Sequence, residues 1–130
     1  MAKVFVSSTF LDLKECRQQV SLVLRKMGHE DVAMEYYVAE DKRPVDKCLA
    51  DVATCDLYVG IFAWRYGWIP KRNNRAKLSI TEMEYRQAVK KNKTCLVFLL
   101  DGKAPWPADF IDDDKTRIKR FRDRLSEKHS

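Results

Sequence analysis

The run Asp56-Leu57-Tyr58-Val59-Gly60-Ile61-Phe62 is apolar at consecutive positions rather than alternate ones. A strand built from it must have both faces covered, which is the condition of a parallel sheet sandwiched between helices. Two further runs read the same way, Lys3–Ser7 near the start and Thr94–Leu100 (TCLVFLL) later on. Between them the apolar period switches to that of helices. Asp12 to Met27 carries Leu13, Cys16, Val20, Val23, Leu24 and Met27 on one face, and Gly28 follows as a stop. Asp31–Tyr36 reads as a short second strand. Pro44 suits a first helical turn, and Val45, Cys48, Leu49 and Val52 form the next stripe. Ala63 to Leu78 is the longest irregular stretch. Ser79 then makes an N-cap, with Glu82 three residues on completing a capping box, and the helix runs to about Asn92. Asp101 to Pro107 breaks the pattern. Asp112–Asp114 lead into a basic helix with Ile118, Phe121 and Leu125 on one side.

The order β-α-β-α-β-α-β predicts one α/β domain over residues 1–130, an open parallel sheet of four to five strands with right-handed crossovers and helices on both faces. A fifth strand is expected after the last helix, so the chain reads as the N-terminal piece of a longer protein.

Composition closes off several classes. No stretch approaches the roughly 18–20 uninterrupted apolar residues of a membrane span, and strand character at Lys3 leaves no room for a signal peptide. Cys16, Cys48, Cys55 and Cys95 form no C-x-x-C pair, and His29 and His129 are too distant in sequence to indicate zinc. Reduced thiols in a cytoplasmic protein follow as the expectation. The net charge of +6 gathers in two places, Lys71 to Lys77 and Lys115 to Arg124. Such patches suit a phosphate-rich ligand or nucleic acid, or are simply solvated faces.

In an open parallel sheet, ligands sit beyond the carboxyl ends of the strands. Ser7-Ser8-Thr9 follow the first strand and lead into a helix N-terminus, where hydroxyls and free N–H groups suit a phosphate or ribose; ordinary capping by Thr9 or Asp12 is the alternative. Trp64-Arg65-Tyr66-Gly67-Trp68 follow the third strand and offer aromatic surface with a bidentate phosphate donor, or else merely cover the end of the sheet. Glu84 sits in the stripe Ile80, Glu84, Ala88, which should face the sheet. A carboxylate there needs a partner such as Arg65, or has a function. It has the chemistry to stabilise or attack an oxocarbenium-like glycosidic carbon. Glu82 is already accounted for by capping. Glu35, at the end of the second strand, is placed to bind ribose hydroxyls, and Asp41 opens the loop containing Arg43-Pro44.

The segments VFVSSTFLDLKECR, MEYY, RPVDKCLADV, DLYVGIFAWRYG and SITEMEYRQA together resemble the TIR-like domain family catalogued as domain of unknown function 4062, from Lys3 to about Leu100. The resemblance implies a three-layer, flavodoxin-like or TIR-like fold. It further implies an N-terminal module of large proteins in which a NACHT-type nucleoside-triphosphatase and repeats follow, with innate-immune or anti-phage signalling roles. TIR domains and nucleoside deoxyribosyltransferases share this fold and cleave N-glycosidic bonds with a helix-borne glutamate. EYRQAVKKNKT, read against the deoxyribosyltransferases, puts Glu84 at that position, and Ser7 and Ser8 match their first loop. The small Gly-rich residues before that glutamate have no counterpart here, and Cys16 stands where the family more often has an acidic residue.

The leading expectation is therefore a signalling or effector domain with a nucleotide pocket, activated by oligomerisation of its parent, that hydrolyses NAD at the nicotinamide–ribose bond. Glu84 would act at the ribose centre, Ser7, Ser8 and Thr9 with Glu35 would hold phosphate or ribose, and Trp64, Arg65, Tyr66 and Gly67 would hold the base side. NAD or another nucleotide is substrate in that reading, and no cofactor or metal is implied. A non-catalytic module for homotypic protein contacts is the second reading. A nucleic-acid binder using Trp68 and Arg72–Lys77 is the third.

Overall fold

The computed structural model describes residues 1–32 and 45–129. Its elements run β1 (Lys3–Ser7), α1 (Lys14–Lys26), β2 (Glu30–Asp31), α2 (Val45–Thr54), β3 (Leu57–Phe62), α3 (Ile80–Lys90), β4 (Thr94–Leu99), a short 3-10 turn (Ala108–Phe110) and α4 (Thr116–Lys128). The strands form one sheet in the order β2-β1-β3-β4, and every pairing is parallel. The register sets Ser7 beside Gly60 and Gly60 beside Val97. Chain direction across the sheet reverses between β1 and β3, so the crevice above their carboxyl ends is the topological switch point.

The two faces are covered unequally. Phe5, Tyr58 and Phe62 point to one side, where they meet Val52 of α2, Tyr85 and Ala88 of α3, and Ile118, Phe121 and Leu125 of α4. Phe5 stacks on Tyr58 with ring centroids 6.3 Å apart, and Phe62 meets Phe121 edge-on at 5.1 Å. Val4, Val6 and Val59 point to the other side, against Val20 and Leu24 of α1. Alternation along β1 and β3 thus feeds two cores, which is why the middle of each strand is apolar on both faces. β4 is different. Cys95, Val97 and Leu99 pack into the first core, whereas Leu96 and Phe98, on the α1 side, are 46% and 57% exposed.

The predicted apolar stripe of α1 is only partly buried. Leu13 is in the core and Val20 and Leu24 are half-buried, while Cys16, Val23 and Met27 face solvent. Arg17 takes an inward position instead. The expected second strand begins one residue earlier than read and ends in the described part at Asp31; the rest of that reading, with Glu35, Asp41, Arg43 and Pro44, lies outside the described residues. No helix among the described residues is long and apolar enough to cross a membrane.

Candidate functional site

At the switch point the side chains of β1 and α3 meet. Ser7, the last residue of β1, lies on the face that looks toward α3, and its hydroxyl donates to Glu84 Oε1 at 2.8 Å. Both are buried, with Glu84 5% exposed. Ser79 caps α3 as its sequence implies, accepting from the Glu82 N–H at 3.1 Å. That cap fixes the start of the helix and hence the turn on which Glu84 faces the sheet. Ile80 and Ala88, one turn to either side of Glu84, are buried with it.

Two further hydroxyls converge there. The Tyr58 hydroxyl is buried within reach of Ser7, and Ser8 Oγ is buried without a hydrogen-bond partner among the described residues. Burial pushes the Tyr58 phenol well above its ordinary value, with the nearby Ser7 hydroxyl acting the other way and the charge of Glu84 adding to the rise. Buried polar atoms are rarely left unpaired, so Ser8 Oγ beside a carboxylate marks a place where something else can bind. Ser8 and Glu84 line a small cavity with Arg17, Cys48 and Thr81. Its volume is about 20 Å³, room for one water and no more.

The loops after β1 and β3 touch each other. Thr9 donates to Asp12 Oδ1 at 2.5 Å, and Arg65 Nη1 approaches the same oxygen to 3.9 Å. Gly67 has φ +96°, and a side chain there would meet Thr9 Cγ2 at 3.1 Å. A residue with a Cβ would be strained in its backbone and would press on Thr9, so glycine suits the point where the tryptophan-rich loop meets the serine loop.

The predicted site residues therefore divide. Ser7, Ser8 and Glu84 are brought together. Thr9, Arg65 and Gly67 meet where the two loops touch, with Arg65 against Asp12. Trp64 and Tyr66 are used structurally. Tyr66 is buried, and its hydroxyl donates to Glu82 Oε1 at 2.6 Å. Burial, and next the bond to Glu82, push its pKa up to about 12. Trp64 lies under Arg122, whose guanidinium carbon is 4.1 Å from the ring centroid. Glu82 enters the cap through its backbone N–H, while its carboxylate accepts from Tyr66 and receives Arg86 at 2.7 Å.

Two residues escaped the sequence reading. Arg17 lies one turn after Leu13 on the inward line of α1, so its helical spacing could have flagged it. Arg122 is buried on α4 and donates to the carbonyls of Ala63 at 2.9 Å and Leu100 at 2.5 Å, at the ends of β3 and β4. It lies one turn after Ile118 and three residues before Leu125, so the same helical spacing could have flagged it within the basic run. The described residues hold no group of three or more His, Cys, Asp or Glu placed to bind a metal.

The sequence model of the family described as Domain of unknown function (DUF4062) matches residues 3–130, running past Leu100 to include α4. A TPR repeat-containing protein of Dictyostelium discoideum is 30% identical over 80 residues, covering 51% of this chain and 5% of that protein. No solved structure matches.

Proposed function

The chain belongs to the DUF4062 family, and we propose that it is a TIR-like signalling or effector domain whose chemistry, cleavage of the N-glycosidic bond of an NAD-type nucleotide, resides at Ser7 and Glu84. One observation carries this reading: a buried carboxylate at the switch point, bonded to Ser7 and flanked by the buried hydroxyls of Ser8 and Tyr58. In the reaction the bond between the anomeric carbon and the nicotinamide nitrogen breaks, and its electron pair leaves with nicotinamide. Glu84 stabilises the positive charge left on the ribose. Water then adds to the anomeric carbon and loses a proton, giving ADP-ribose. Ser7 keeps Glu84 aimed at that carbon.

A cavity of about 20 Å³ cannot admit a ribose. The site must therefore open before substrate enters; we propose that the loops after β1 and β3, joined through Thr9, Asp12, Arg65 and Gly67, part on association of the parent protein in the cytoplasm. The small share of the Dictyostelium protein that matches, 5%, supports a module within a much longer chain. A defence-type protein with NACHT and repeat regions is the setting this family membership favours.

The test is nicotinamide release from NAD by concentrated domain and by domain fused to an oligomerising scaffold, wild type against Glu84→Gln. Release that Glu84→Gln abolishes is expected on the scaffold. No release in either format sinks the enzymatic reading. It leaves a homotypic contact module, which the exposed Leu96 and Phe98 on β4 favour; sedimentation of Phe98→Asp against wild type reads that alternative.

A further inference from the structure

A second concavity lies away from the Ser7–Glu84 centre, between α2, α3 and the loop that precedes α3. Its volume is about 1120 Å³. The floor is apolar, made by Leu49, Trp68, Leu78 and Met83. Cations stand on both rims, Lys71 and Arg72 from the loop and Arg86 and Lys90 one turn apart on α3; among the described residues Asp46 is the single carboxylate lining it. Arg86 shares its charge with Glu82. Lys71, Arg72 and Lys90 are exposed, and among the described residues no ion pair engages them.

The loop presenting Lys71 and Arg72 is held in shape. Asn74 clips it, donating to the carbonyls of Pro70 at 2.7 Å and Leu78 at 2.8 Å and accepting from the Leu78 N–H at 3.0 Å. Asn73 and Lys77 take φ of 49° and 54°, a backbone region unfavourable for residues with side chains. The strain is tolerated because Asn74 over-determines the loop, and strained, pre-organised loops concentrate where ligands bind.

We propose that this groove docks an acidic amphipathic peptide segment of a partner protein. Its apolar side chains would lie on Met83, Trp68 and Leu49, and its carboxylates would face Lys71 and Arg72 on one rim and Lys90 on the other. The groove lies at the upper end of the roughly 300–1,000 Å³ of small-molecule sites. Single-stranded nucleic acid asks for successive aromatic platforms, and here one indole stands among aliphatic and thioether groups. Apolar floor between charged rims is the geometry that receives an amphipathic helix.

The experiment measures anisotropy of labelled probes with the whole chain at low and high salt. The probes are a peptide of about 16 residues, roughly four turns, with leucine at helical spacing among glutamates, polyglutamate of equal charge, and an oligothymidylate of equal charge. The amphipathic peptide should bind on the order of tenfold more tightly than either other probe, with salt weakening it. The double variant Lys71→Glu/Arg72→Glu should lose on the order of tenfold. Asn74→Ala and Met83→Gln should each lose severalfold with the net charge unchanged, circular dichroism confirming the fold. Equal binding of polyglutamate would show only the field of a basic surface and overturn the groove. Tighter binding of the oligothymidylate would replace the partner class, and no binding of the peptide, or binding that these variants leave untouched, would sink the proposal.

Discussion

Ser7 and Glu84, 77 residues apart in sequence, share a 2.8 Å hydrogen bond that ties the end of β1 to the middle of α3. Ser7→Ala removes a donor from a buried carboxylate and should lower stability by about 1.5–3 kcal/mol. Glu84→Gln keeps an acceptor oxygen for Ser7 and should lower it by less than about 1 kcal/mol. Urea unfolding of the two variants separates the roles. If Glu84→Gln proved as damaging as Ser7→Ala, the carboxylate would be there for the fold.

Arg122 should be the most sensitive residue of α4. Arg122→Ala strands the Ala63 and Leu100 carbonyls and uncovers Trp64, a loss of about 3 kcal/mol from charged hydrogen bonds and the cation–π contact together. Arg122→Lys should recover less than half of it, because an ammonium cannot span two carbonyls as a planar fork does. Thermal melts of the pair provide the comparison.

Gly60 in the middle of β3 has an ordinary backbone but no space. A Cβ would lie 2.6 Å from the Phe62 ring, itself locked against Phe121. Gly60→Ala should cost about 1–3 kcal/mol through overpacking, measured by chemical denaturation. A neutral result would mean that the ring of Phe62 turns aside.

Asp31 makes the fold acid-sensitive. Burial alone would raise its pKa, but the Ser21 hydroxyl and then Arg25, 3.0 Å from Oδ1, outweigh it and hold the carboxyl below 3.8. The folded state thus binds the proton less readily than the unfolded chain. The stability from Asp31 is present at neutral pH and is lost as pH falls below about 4 through the depressed folded value. Asp31→Asn should therefore melt lower than wild type at pH 7, and the gap should shrink toward about pH 3. A gap that stayed constant would remove the ionised carboxylate from the account.

Elements with strong local signals were legible in the sequence. Lys3–Ser7 is a strand as read, Ser79 caps α3, and Ile118, Phe121 and Leu125 share the buried side of α4. Leu96 and Phe98 misled, because an apolar run reports the demand for cover and not whether the strand sits at the edge; sheet order is a tertiary outcome. Glu84 was legible because a charge interrupts an apolar stripe. Its partner was not, since spacing along α3 cannot tell Arg65 from Ser7. Tyr66 and Trp64 looked like ligand surface for a related reason, as an aromatic cluster reads the same whether it faces a nucleotide or Phe121 and Arg122.

The Asn74 clip has a kinetic side. Lys71 and Arg72 are already in position before any partner arrives, so little chain entropy remains to be removed on contact. A loop of this kind acts as a landing strip. Opposite charge draws the incoming segment from a distance, and the rate of arrival falls steeply as salt is added. How long that segment then stays is set by the apolar floor beneath it, Met83 and Trp68 among its residues.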